Sequence, residues 1–313
     1  MPVAVIVLLT VAAAILLPYL SFCIFLFCYV FHRRKKEPDL ANDPHYRPHL
    51  ARIRAAQAYL HTLPCEKVTC QGRDGVPLCG MRYRAKQPVG AVLCFHGYRS
   101  TPENNFAVLT PEFLARGYDV FLLRQRGSGE SGGRCTTFGA RETEDCLCWT
   151  EKILRTYAPQ RTVLYGISMG GAAVACTADA LPGENLALVC DSAFVNAERV
   201  LREKAGRFVF LPGWMYWPAI FRYCRLRGFD PRMVDCPSHL ARACHPVLFL
   251  HGEADRVVLP AAMEENAAAI PAHVPHVRIL APGQGHTTPF YAPGVPERVF
   301  AFLDDIFSAR GER

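Results

Sequence analysis

Between Val3 and Phe31 the chain has no charged side chain at all. That run of 29 residues exceeds the roughly 20 apolar residues that cross a bilayer core. No Lys or Arg precedes it. A secretory signal needs a basic start and an apolar stretch of only about 7–15 residues, so the competing reading as a cleaved signal fits poorly. Residues 1–36 are therefore expected to form a single transmembrane anchor with a basic flank, embedded through residues 3–31. At about 1.5 Å per residue the run reaches about 43 Å, so it should tilt, kink or extend into the headgroups, with Pro18 as the natural kink.

Net positive charge is small elsewhere. The net charge is +7, of which Arg33, Arg34, Lys35 and Lys36 supply four, leaving +3 for the rest of the chain. Nucleic acid is accordingly not an expected partner. Because that block directly follows the span, the positive-inside rule places the remainder of the chain in the cytoplasm. There is also no C-x-x-C pair among the 14 cysteines. Several, Cys94, Cys176 and Cys190 among them, fall in apolar runs and read as buried thiols. No metal and no cofactor is expected, and a reducing compartment fits the cysteine usage. Half of the residues are hydrophobic, which excludes disorder, and no internal repeat is visible.

What is present is an alternation. Residues 37–65 read as a Pro-bearing linker and a short amphipathic helix over 50–63, packed on the body rather than lying on the membrane. From residue 66 short apolar runs alternate with amphipathic stretches. Strands are expected at 67–70, 78–83, 91–95, 119–123, 162–165, 186–190, 247–250 and 277–280, the first two joined through Asp74-Gly75. Helices are expected at 106–115, 141–156, 169–179, 260–269 and 296–307. This pattern predicts an α/β domain over 66–309, a mainly parallel eight-stranded sheet with helices on both faces. The alternation fails between 192 and 245. There an aromatic-rich helical insertion with Phe210, Trp214, Tyr216 and Trp217 could serve as a lid or merely fill space.

Gly166-Ile167-Ser168-Met169-Gly170 matches G-x-S-x-G, which arises by chance about 0.1 times in a chain of this size. Its context sharpens it: 162–165 is a strand immediately before, and 171–175 opens a helix immediately after. That is the strand–turn–helix setting of a nucleophile elbow. A serine hydroxyl needs a base. His286, late in the chain after a strand, is the best candidate. His32, His45, His49 and His61 precede the domain and read as surface or linker residues, and His251 as bracing a loop. The base needs an acid to fix its tautomer. Asp255 follows a strand and completes the order Ser168, Asp255, His286; Asp191, ending another strand, is the rival. The amides of Met169 and Tyr98 are the expected oxyanion donors.

The chain here resembles the bacterial α/β-hydrolases grouped with serine aminopeptidases of the S33 type and lysophospholipase-like esterases. The resemblance rests on Phe95-His96-Gly97-Tyr98, the run 126–133, Thr137-Phe138-Gly139, the elbow, the run 250–255 and Gly285-His286, and it covers about residues 66–307. It implies the α/β-hydrolase fold with a short helical lid. It also implies a serine hydrolase acting on carboxylic esters, lipidic esters and lysophospholipids included. A peptidase or amidase of the same fold, or a catalytically silent membrane scaffold, are the alternatives. One departure is Arg124, where the resembling proteins usually carry Asp; it is expected to pair with a carboxylate such as Glu142 or Glu144, or else to meet an anionic substrate group. Another is Ser128, where they often carry His.

Overall fold

The computed structural model describes residues 2–33, 39–206 and 209–311. Arg34, Lys35 and Lys36 of the basic block lie outside the described residues, as do Glu37 and Pro38 of the linker and Phe208 of the insertion.

Eight strands form one sheet: β1 (Cys65–Gln71), β2 (Pro77–Tyr83), β3 (Gly90–Phe95), β4 (Tyr118–Arg124), β5 (Thr162–Ile167), β6 (Leu186–Asp191), β7 (Val247–Gly252) and β8 (His276–Ala281). Their order is β1-β2-β4-β3-β5-β6-β7-β8. The β1–β2 and β2–β4 pairs are antiparallel and the rest are parallel. Gly75, at φ 80°, turns the first hairpin, where an L side chain would be strained. Strands β3, β5, β6 and β7 are buried along their whole length, as expected where helices cover both faces. Only Val68 of edge strand β1 is buried.

The two-residue period divides the core. Leu93 and Phe95 of β3 point to one face, under helices Ala140–Tyr157 and Met169–Ala175. Val92 and Cys94 point to the other, under helices Leu50–Thr62, Thr110–Ala115 and Val295–Gly311. The helix Leu50–Thr62 is packed through Ile53 and Leu60, so it belongs to the body.

Three expectations need correction. The helix expected over 106–115 is two short ones, Pro102–Phe106 and Thr110–Ala115. Pro111 causes the break, because its ring cannot follow a preceding helical turn and instead opens a new helix. The helix expected over 169–179 stops at Ala175. The stretch after residue 38 is more than a linker: its two 3₁₀ turns, Leu40–Asn42 and Arg47–His49, lie against the domain and bury Leu40 and Tyr46.

The apolar run is one helix, Val3–Phe31, continuous through Pro18. Its final part packs on the insertion, where Cys23, Leu26, Phe27 and Phe31 join the main core. The insertion itself holds helices Ala197–Ala205, Trp217–Leu226 and Cys236–Leu240, with Tyr216, Trp217 and Phe221 buried.

Candidate active site

The chain turns back on itself around β3: β4 lies on one side and β5 on the other. Ligands of parallel sheets bind at such a switch point, beyond the carboxyl ends of the strands. The loops after β3, β5, β7 and β8 all emerge at that edge.

Ser168 follows β5 at φ 56° and ψ −114°, a conformation few L residues adopt. Space explains the flanking glycines. A Cβ on Gly166 would lie 2.2 Å from the Gly170 carbonyl oxygen, and one on Gly170 only 2.0 Å from that of Phe95. The helix that starts at Met169 can then pack directly over the strand, and the serine is held strained at the tip.

Ser168 Oγ lies 2.8 Å from His286 Nε2. His286 Nδ1 lies 2.7 Å from Asp255 Oδ2. The other carboxylate oxygen, Oδ1, accepts from the amides of Val257 and Val258 at 2.8 and 3.0 Å. His251 Nε2 bonds the Val258 carbonyl at 2.9 Å and also reaches Asp255 Oδ2 at 3.3 Å, so it holds the acid loop. Burial by itself would raise the Asp255 pKa; hydrogen bonds from His251 and His286 outweigh it and keep the carboxyl well below its ordinary range. Burial dominates at His286 and lowers its pKa despite Asp255. A neutral imidazole facing a serine hydroxyl can take its proton.

Asp191 is placed otherwise. It receives hydrogen bonds from Ser192 Oγ at 2.8 Å and Tyr165 Oη at 3.2 Å, and burial pushes its pKa up to about 7. Its backbone carbonyl accepts the Ser168 amide at 2.8 Å. Of the two acids, Asp255 is the one bonded to His286.

Gly97, Tyr98 and Met169 line the same cavity as Ser168. A Cβ on Gly97 would lie 3.4 Å from Ser168 Cβ, so this loop passes directly beside the serine. The loop is fixed from behind. Asn105 Oδ1 accepts the Gly97 amide at 2.8 Å, and His96 Nδ1 bonds the Gly97 carbonyl at 2.8 Å. His96 Nε2 accepts the Gln125 amide at 3.1 Å, which makes Nδ1 the donor. Burial pulls the His96 pKa down to about 4, so the ring is neutral.

The cavity measures about 350 Å³. Phe138 stacks on Phe194 at 5.5 Å and meets Tyr98 at 5.2 Å, giving it an aromatic wall. Asp39, Asp43, Arg99 and Lys204 add charged groups to its lining.

Sequence reasoning missed the contribution of the stretch before the domain. His45 is not a plain surface residue: its Nδ1 accepts the His286 amide at 3.4 Å, and its ring lies 6.3 Å from that of His286. Tyr46 is buried beside Asn105. Neither carries a local signal, since both act through residues far along the chain. Arg124 pairs with Glu103 at 2.7 Å, not with Glu142 or Glu144. Glu142 caps its helix by accepting the Thr137 and Gly139 amides, and Glu144 binds Arg141.

Residues 86–217 match the family model of serine aminopeptidase, S33. The Pyrococcus furiosus esterase Pf2001 superposes with a TM-score of 0.61, at 21% identity, over 79% of this chain and 94% of that one. The chain has the α/β-hydrolase fold. It is also similar to a hydrolase from Pseudomonas aeruginosa PA01, with a TM-score of 0.53 and 22% identity over 76% and 98% of the two chains. YqkD, an uncharacterized protein of Bacillus subtilis (strain 168), is 27% identical over 147 residues, 46% of this chain. That match spans about half of the curated relative, 48%.

Proposed function

We propose that this α/β-hydrolase is a serine esterase that cleaves carboxylic esters, lipidic esters included, from a membrane-anchored position with its catalytic domain in the cytoplasm. The observation that carries the reading is the unbroken relay from Asp255 through His286 to a strained, glycine-flanked Ser168.

Ser168 Oγ attacks the ester carbonyl carbon while its proton passes to His286 Nε2. Asp255 holds the opposite ring nitrogen and stabilises the imidazolium. The amides of Met169 and Tyr98 donate to the oxyanion of the tetrahedral intermediate. As it collapses, the imidazolium protonates the departing alcohol and an acyl-Ser168 ester remains. Water, deprotonated by His286, then releases the carboxylate. No step calls for a cofactor.

The aromatic wall and the charged groups of the lining suit an acyl chain joined to a polar head. Retention of the N-terminal helix is favoured by its packing: removing it would uncover Tyr216, Tyr223 and Phe229.

A fluorophosphonate probe should label the wild-type chain but not Ser168→Ala, which should also lose several orders of magnitude in kcat. Near-normal ester turnover by Ser168→Ala would end the proposal, and an unlabelled wild type would favour a silent scaffold. Esters of graded chain length, run beside peptide arylamides, test the bond type. Faster arylamide cleavage would make the chain a peptidase, the reaction in the name of the matched family model.

A further inference from the structure

The apolar helix is longer than a bilayer requires, and the structure shows where the excess goes. Tyr19 Oη donates to the Met215 carbonyl at 2.7 Å. Phe22 meets Tyr216 edge-on at 5.8 Å, Phe27 meets Tyr223 at 4.6 Å, and Phe31 meets Phe229 at 5.5 Å. The contacts advance in the same order along both segments. The cap helix Trp217–Leu226 therefore runs alongside the N-terminal helix, with Met215 and Tyr216 at the end nearest the middle of the span. The opposite side of the N-terminal helix, through Leu20, Ile24, Phe25 and Tyr29, stays exposed.

Only residues 3–18 stand clear of the domain. Sixteen residues rise about 24 Å, about 6 Å short of a hydrocarbon core of about 30 Å. Tilt would lengthen the shortfall. The core must then continue past Tyr19 and take in the level of Met215. The chemistry there suits it: segment 209–215 has no charged residue, and Phe210 and Trp214 are 106% and 73% exposed. Arg222, Arg225 and Arg227 come later on the cap, toward the Phe31 end, at headgroup depth.

Resting on the reading of Val3–Phe31 as a bilayer span, we infer that segment 209–215 of the cap is inserted in the adjacent leaflet, about 6 Å below the edge of its hydrocarbon, and that the partner of this surface is the phospholipid bilayer. The inserted segment leads back to Val200 and Lys204, which line the active-site cavity. Arg99, on the same cavity, bonds the Tyr29 carbonyl at the end of the helix. The cavity is thus walled on one side by the cap, through Val200 and Lys204, and on another by Arg99, which ties it to the N-terminal helix, and its substrates are esters that partition into that leaflet.

The test uses the full chain in phosphatidylcholine–phosphatidylglycerol vesicles carrying bromine at acyl carbons 6,7 or 11,12. Trp214-dependent emission is the difference between wild type and Trp214→Phe, an exposed position where the exchange leaves the core untouched. The 6,7-dibromo lipids should quench it more strongly than the 11,12-dibromo lipids. No quenching by either, in protein that resists carbonate extraction, overturns the insertion. Release by carbonate overturns the anchor and the inference together. In a second arm, Phe210→Asp with Trp214→Asp should slow hydrolysis of a vesicle-embedded long-chain ester at least tenfold and leave a soluble butyrate ester unaffected. Equal rates on both esters relative to wild type overturn leaflet supply. Quenching requires no turnover, so a chain that inserts but hydrolyses nothing would sink the esterase reading alone.

Discussion

Tyr46 Oη accepts a hydrogen bond of 2.6 Å from Thr287 Oγ1, 241 residues further along the chain. The same phenol oxygen accepts from Asn105 Nδ2 at 2.7 Å. Asn105 in turn holds the Gly97 amide, and Thr287 directly follows His286. One buried phenol therefore joins the loop of His286, the proposed base, to the loop of the proposed oxyanion donor. Burial pushes its pKa up, so it stays neutral.

Tyr46→Phe should leave two buried donors without an acceptor, at a cost of about 1–3 kcal/mol each. The Tm should fall. Loosening both loops should also lower kcat/KM at least about tenfold, since misplacements of about 1 Å can cost roughly 100-fold. Thermal unfolding and steady-state ester kinetics read the two effects. Unchanged values in both would show the segment before the domain to be a passive cover.

Asp255→Asn should retain the fold and lose about 10⁴ in kcat, because an amide leaves the imidazole in the wrong tautomer. Asp191→Asn should be far milder, its carboxyl being bonded to Ser192 and Tyr165 rather than to His286. Comparing the two purified variants on one ester decides between the acids, and the reverse ranking would reassign the role.

The acid limb of the kcat/KM–pH profile should lie below pH 6.5, the ordinary value for imidazole. Burial lowers the His286 pKa, and a base works only when unprotonated, so activity should persist into more acid solution than a free imidazole allows. Asp255 remains ionised throughout that window. A limb centred above 6.5 would contradict this assignment.

With the domain in the cytoplasm, the exposed thiols of Cys65 and Cys244 should be shielded in sealed right-side-out vesicles. A membrane-impermeant maleimide should label them only after the membrane is opened. Labelling of intact vesicles would reverse the orientation and leave the site geometry untouched.

Much of this molecule is legible locally. The eight strands are visible because a half-buried or fully buried strand writes its environment into five or six consecutive residues. The elbow is visible for the same reason: a strand, two glycines and a helix start are contiguous, and the close approaches of Gly166 and Gly170 permit no side chain. The break before Pro111 is equally local, because a proline ring cannot follow a preceding helical turn.

The amino-acid sequence by itself determined the strand–helix alternation, the strained serine turn, the order of Ser168, Asp255 and His286, and an uncharged apolar run of 29 residues. Only the tertiary structure decided which carboxylate meets His286, that Arg124 turns to Glu103, that Tyr46 reaches into the site, and that Phe27 of the N-terminal helix lies against Tyr223 of the insertion. Backbone conformation and burial period are properties of neighbouring residues and leave a pattern there. A contact between side chains hundreds of residues apart depends on where the whole sheet brings two loops, and no local run of residues encodes it.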